Sequence, residues 1–140
     1  MYELIVGDEA TQDLERILEA VPEAGYRLVA LLEEISCSQD LMEKLSWDRY
    51  GGKPHDPEEG ASVSVAKWIN LYRKGLNIWR LRDFELSRLG YEYRIIYAFI
   101  PASDVYFVLA VVERAFNYDP SHPVTQRVLA AYKRLEQEGW

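Results

Sequence analysis

The chain has 140 residues, 49% of them hydrophobic, which is enough for one packed domain and too few to expect two. Its net charge of −7 argues against indiscriminate nucleic-acid binding, and its lone cysteine, Cys37, rules out an internal disulfide. No apolar run approaches the roughly 20 residues of a membrane helix, and Met1-Tyr2-Glu3-Leu4 lacks the basic start of a secretion signal, so a cytoplasmic, membrane-free setting is expected.

Residues 2–6 read as a short apolar strand closed by Gly7-Asp8. Asp8 is placed to cap a helix whose apolar positions Ala10, Leu14, Ile17, Leu18 and Val21 follow a helical spacing. Pro22 interrupts it, because the residue before a proline is driven out of the helical region. A second helix follows with Leu28, Val29, Leu31, Leu32 and Ile35 as its buried stripe, and the two predict a helical hairpin lying on a sheet. Ser36-Cys37-Ser38 ends that helix, with Cys37 expected to be buried or half-buried, and a short helix is expected over residues 39–45.

Residues 48–60, with Gly51-Gly52, two prolines and three acids after His55, read as a mobile polar loop. Residues 61–75 regain apolar content (Val63, Val65, Trp68, Ile69, Leu71, Tyr72) and read as part helix. Three consecutive strands are predicted next, over residues 77–84, 91–100 and 104–114. In the first two, Trp79, Leu81, Tyr93, Ile95 and Tyr97 alternate with Arg80, Arg82 and Arg94, while the third is apolar on both faces through Val112. The short connections between them favour an antiparallel meander, since a parallel crossover needs a dozen or more residues. Asn117-Tyr118-Asp119-Pro120 makes a turn, Ser121 is placed to cap a last helix with Pro123 in its first turn, and Val124, Val128, Ala131, Tyr132 and Leu135 give that helix one apolar face. There is no internal repeat, low-complexity segment or linker.

The charges are unevenly spread. Residues 1–60 carry 15 acids and 5 bases, and residues 61–140 carry 8 acids and 11 bases. One cysteine and two distant histidines, His55 and His122, give no metal-ligand spacing, and no phosphate loop or nucleophile elbow is present. His55 reads as an exposed loop residue and His122 as a surface or capping residue. The strand register instead gathers Arg80, Arg82, Arg94 and Arg114 on one sheet face, with Tyr118 following. Guanidinium groups on a rigid sheet suit phosphate recognition. Alternation alone equally fits a solvated face paired with Glu92 and Asp83, and that arrangement is the more frequent one.

The segments Trp79-Arg80-Leu81-Arg82, Tyr93-Arg94-Ile95-Ile96-Tyr97 and Val108-Leu109-Ala110-Val111-Val112-Glu113-Arg114, followed by Tyr118, resemble the RelE/ParE toxin superfamily. So does the order of strand, helical hairpin, three-strand meander and last helix. The resemblance runs from Tyr2 to about Glu136, leaving residues 48–75 as an insertion in a single domain spanning 1–140. It implies an α+β fold built on an antiparallel sheet. In the RelE-like branch it implies a toxin, partnered by a cognate antitoxin, that cleaves mRNA, usually on the ribosome, by attack of a 2′-hydroxyl on the adjacent phosphate. Carried over, it makes Arg80, Arg94, Arg114 and Tyr118 the catalytic candidates, with Arg82, Lys74 and Arg73 as substrate-binding candidates and no metal or other cofactor. Where the best-known members carry a lysine two positions before the first arginine, this chain has Ile78, leaving Lys67, Arg73, Lys74 and Arg82 as cations available to compensate. The alternatives are a ParE-like gyrase inhibitor that performs no chemistry and a relative that only binds a partner protein. A homodimer or a toxin–antitoxin hetero-oligomer is compatible with any of these.

Overall fold

The computed structural model describes residues 1–116 and 118–140; Asn117, assigned above to the turn before the last helix, lies outside the described residues. In chain order the elements are β1 (Glu3–Val6), α1 (Asp8–Ala20), α2 (Pro22–Ser36), α3 (Gln39–Lys44), β2 (Gly52–Lys53) and β3 (Asp56–Pro57), then β4 (Val63–Lys67), α4 (Ile69–Tyr72), β5 (Ile78–Asp83) and α5 (Phe84–Arg88). β6 (Tyr93–Ile100), β7 (Val105–Glu113), a single 3-10 turn (Arg114–Phe116) and α6 (Pro123–Gln137) complete the domain. One five-stranded sheet, ordered β1-β7-β6-β5-β4, carries the fold, and β2 and β3 form a separate two-stranded hairpin.

β5, β6 and β7 make the antiparallel meander expected from their short connections. The sheet as a whole is mixed, which corrects the antiparallel expectation: β1 pairs parallel with β7, Glu3 opposite Val105 and Val6 opposite Val108. The helical hairpin supplies the long crossover that a parallel pair requires.

Each face of the sheet holds its own apolar cluster. Trp79, Leu81, Tyr93, Ile95 and Tyr97 pack with Leu28, Leu31 and Ile35 of α2, as their alternation predicts. Ile78, Ile96, Ala98 and Val112 face the other way and meet Val128, Ala131 and Leu135 of α6. A β-bulge lets β7 serve both. Ile96 pairs with Ala110 but Tyr97 with Val108, so Leu109 is the extra residue and the side-chain alternation resets there. Its two-sided apolar sequence is thereby explained.

Several local expectations are revised. α1 is preceded by Gly7, and Asp8 lies within its first turn, where a carboxylate favours the helix dipole without capping a backbone N–H. α6 is capped by His122, whose Nδ1 accepts from the Val124 N–H at 3.1 Å, so Ser121 is not the cap. Cys37 is exposed at the end of α2. Residues 61–75 contain the expected piece of helix, the one-turn α4, but also an edge strand, β4, which was not expected. The free edge of β4 is not open: the Val65 N–H donates to the Tyr50 carbonyl at 2.9 Å and the Lys67 N–H to Asp48 Oδ1 at 3.1 Å. Such covering of an edge removes a template for pairing with other chains.

Two buried carboxylates fasten helices to the sheet. Asp13 of α1 accepts the Val111 N–H of β7 at 3.0 Å and a two-pronged contact from Arg127 of α6 at 2.8 and 2.9 Å. It stands where β1 has ended, taking the role of a strand neighbour for β7. Asp83 accepts Arg27 of α2 through Nε at 2.9 Å and Nη2 at 3.2 Å, and also caps α5 through the Leu86 N–H. Asp83 is therefore committed to the helical-hairpin side and does not pair with the arginines of the opposite face.

Candidate functional site

Because Arg80 pairs across from Ile96 and Arg94 from Val112, the period of two puts Arg80, Arg82 and Arg94 on the face that α6 shares. α6 covers only part of that face, packing mainly against β7. Beyond it, toward β4, lies a cleft of about 450 Å³ lined by Arg80, Arg82 and Arg114 together with Ser64, Glu92 and the β2–β3 hairpin.

Hydrogen bonds fix the guanidinium groups. Arg80 Nη1 donates to Ser64 Oγ at 3.1 Å, and no carboxylate pairs with Arg80 among the described residues. Arg82 Nη2 and Arg94 Nη1 both donate to Glu92 Oε2, at 3.1 and 3.3 Å. Arg94 also reaches the Tyr93 carbonyl at 3.3 Å. Burial would raise the Glu92 carboxyl, but its bonds to Arg82 and Arg94 outweigh this and hold it below the ordinary carboxylate range. Arg80 and Arg94 are both shifted down, first by burial and further by neighbouring guanidiniums, although both retain their charge. The cleft therefore gathers more positive charge than Glu92 cancels, at partly desolvated positions where an incoming anion would be held strongly.

Tyr118 completes the arrangement. Its ring packs edge-on against Trp68 and Phe116, at centroid distances of 5.1 and 5.3 Å. Its hydroxyl is buried beside Arg80, Arg94 and Arg82 and completes no hydrogen bond among the described residues. Burial raises the hydroxyl above the ordinary tyrosine range, and the arginines only partly oppose this. The residue stays protonated at neutral pH and presents a donor. Its backbone is left-handed, φ 55°, a conformation costing a non-glycine residue of order 1–3 kcal/mol that the surrounding structure must impose.

Among the predicted site residues, the cleft brings Arg80, Arg82 and Arg114 to its surface, with Tyr118 beside the buried guanidiniums. Arg94 lies behind them, only 7% exposed, bonded to Glu92 and beside Tyr118. Arg73 and Lys74 are exposed beyond α4 and do not line the cleft. Lys67 is also elsewhere, its Nζ 4.0 Å from the centre of the Tyr72 ring. Ile78 is fully buried under α6, so a cation at that position would enter the core. Of the four cations offered in place of a lysine at position 78, only Arg82 lines the cleft, and Lys53, which the sequence reading passed over, lines it too.

Lys53, His55 and Ser64 are the cleft residues that sequence reasoning missed. The available signal was Gly51-Gly52 followed by spaced prolines, which mark a tight turn, and the alternating Val63 and Val65, which mark a strand. Among the described residues no group of three His, Cys, Asp or Glu side chains is placed to hold a metal ion. No helix among them is long and apolar enough to cross a membrane. Set beside known protein families, curated proteins and solved structures, the chain matches none of them.

Proposed function

We propose that the arginine cleft binds RNA and cleaves it as a RelE-like toxin would, by attack of a ribose 2′-hydroxyl on the neighbouring phosphate. The observation that carries this reading is the convergence of Arg80, Arg82 and Arg114 on one cleft, with the unpartnered hydroxyl of Tyr118 beside Arg80. Phosphodiester cleavage places growing negative charge on the phosphate oxygens, and preorganised cations in a partly dry site stabilise that charge more than they stabilise the ground state. Arg80 and Arg114 meet the phosphate, Arg82 is shared between phosphate and Glu92, and Arg94 is the positioning residue behind them. Tyr118, protonated and buried, supports Arg80 and Arg94 from behind the cleft. The ribosome as the place of action and an antitoxin that masks the cleft belong to the same reading. An acidic segment laid over these arginines is the chemistry that would silence them.

The test is single-turnover cleavage of RNA with and without ribosomes, comparing the parent with Arg80→Ala and Arg114→Ala. Each variant should lose roughly 10²–10³-fold in rate while RNA affinity falls far less. A parent that cleaves nothing under either condition would remove the reading. A gyrase supercoiling assay would then separate an inhibitor of gyrase from a protein that only binds a partner.

A further inference from the structure

Cleavage through a 2′-hydroxyl needs a group that accepts its proton, and the cleft offers few. Guanidinium groups donate only, and an ammonium such as Lys53 has no lone pair while charged. Glu92 has Oε2 engaged by both Arg82 and Arg94 and is held in its ionised form by them, which makes it a weak base. The Tyr118 hydroxyl stays protonated. Ser64 Oγ already accepts from Arg80, and the Ser87 hydroxyl, which also lines the cleft, is too weak a base to hold the proton.

The group that remains is His55. It stands at the two-residue turn of the β2–β3 hairpin, where Lys53 pairs with Asp56, and it lines the same cleft as Arg80, Arg82 and Arg114. The Glu58 N–H donates to the Gly51 carbonyl at 2.9 Å, closing the base of the hairpin. Gly51 lies at φ +93°, so close against β4 that a Cβ there would fall 1.9 Å from the Val63 carbonyl oxygen. Glycine at this position seats the hairpin directly on the strand that carries Ser64. An imidazole offers one acceptor and one donor nitrogen, which suits it to take a proton and later return it.

We propose that His55, presented by the β2–β3 hairpin over the arginine cleft, is the general base for the 2′-hydroxyl. The inference rests on the RNA-cleavage reading above. In the step, the imidazole takes the 2′-hydroxyl proton as the 2′-oxygen–phosphorus bond forms. The bond from phosphorus to the 5′-oxygen breaks, and that oxygen takes a proton from solvent in the cleft. The products are a 2′,3′-cyclic phosphate and a free 5′-hydroxyl. Solvent then removes the proton from His55.

The experiment uses the full chain and a short single-stranded RNA, with ribosomes where the parent needs them. Because His55 is exposed at a turn, His55→Ala is expected to fold as the parent does. It should cleave roughly 10²–10⁴-fold more slowly with RNA affinity nearly unchanged, and added imidazole should restore part of the rate. Parental cleavage by His55→Ala overturns the inference while leaving RNA cleavage standing. So does a loss matched by an equal fall in affinity, or one that imidazole leaves untouched, which would make His55 a positioning residue. A parent that cleaves no RNA ends the reading and this inference with it.

Discussion

Tyr118 holds a left-handed backbone and a buried hydroxyl whose nearest charged neighbours are guanidiniums, a combination that contributes nothing evident to stability. Replacing it with phenylalanine keeps the ring contacts to Trp68 and Phe116 and removes a buried polar atom that completes no bond. Tyr118→Phe should therefore melt at or slightly above the parental temperature. On the RNA-cleavage reading, it should cleave at a rate reduced by well under the ~10²-fold of a direct proton donor, and a loss of about 10²-fold or more would show that the hydroxyl reaches the substrate. Glu92 makes a prediction of opposite character. Its carboxyl is depressed in the folded state, so the stability it contributes is present above the ordinary carboxylate pKa and is lost as pH falls through the lower folded value. Denaturation midpoints of the parent and Glu92→Gln should run parallel at neutral pH. They should converge only below about pH 4.3, as the parent loses its bonds to Arg82 and Arg94. A difference that persists unchanged into stronger acid would show that Glu92 acts by packing.

At the scale of elements, the meander was legible because its strands alternate cleanly between aromatic or β-branched residues and arginines. β4 was not. Val63 and Val65 alternate, but Trp68, Ile69, Leu71 and Tyr72 of the one-turn helix follow within a few residues at helical spacing, and the two periods blur in any window that spans both. The parallel partner of β1 was equally hidden, because four apolar residues carry no mark of which strand they will join or in which direction. Nor does a sequence announce that a carboxylate will stand in for a strand. Asp13 does so for β7, and its burial with Arg127 gives a measurable consequence. Asp13→Ala leaves the Val111 N–H and a half-buried guanidinium without their partner, and should destabilise the fold by about 2–4 kcal/mol in chemical denaturation. A loss under about 0.5 kcal/mol would mean that water replaces the carboxylate at that edge.

For the whole molecule, the excess of acids in residues 1–60 hides a compact basic site whose members come from both halves of the chain. Arginines on alternating positions could be read from the sequence. Lys53 and His55 could not, because only the folded hairpin carries them to β5. If RNA is held chiefly by Arg80, Arg114 and Lys53, with Arg82 half-neutralised by Glu92, the logarithm of its affinity should fall with the logarithm of salt at a slope of about −2. A slope near zero would point to stacking or shape instead of phosphate contacts. The parallel seam between β1 and β7 carries one last consequence, for the order of events during synthesis. Glu3 finds its neighbour only at Val105, and the cleft is unfinished until Tyr118 takes its place. A growing chain emerging from its own ribosome has no seam before Val105 is made and no complete cleft before Tyr118 is, so the arginine site is withheld until more than a hundred residues have followed β1.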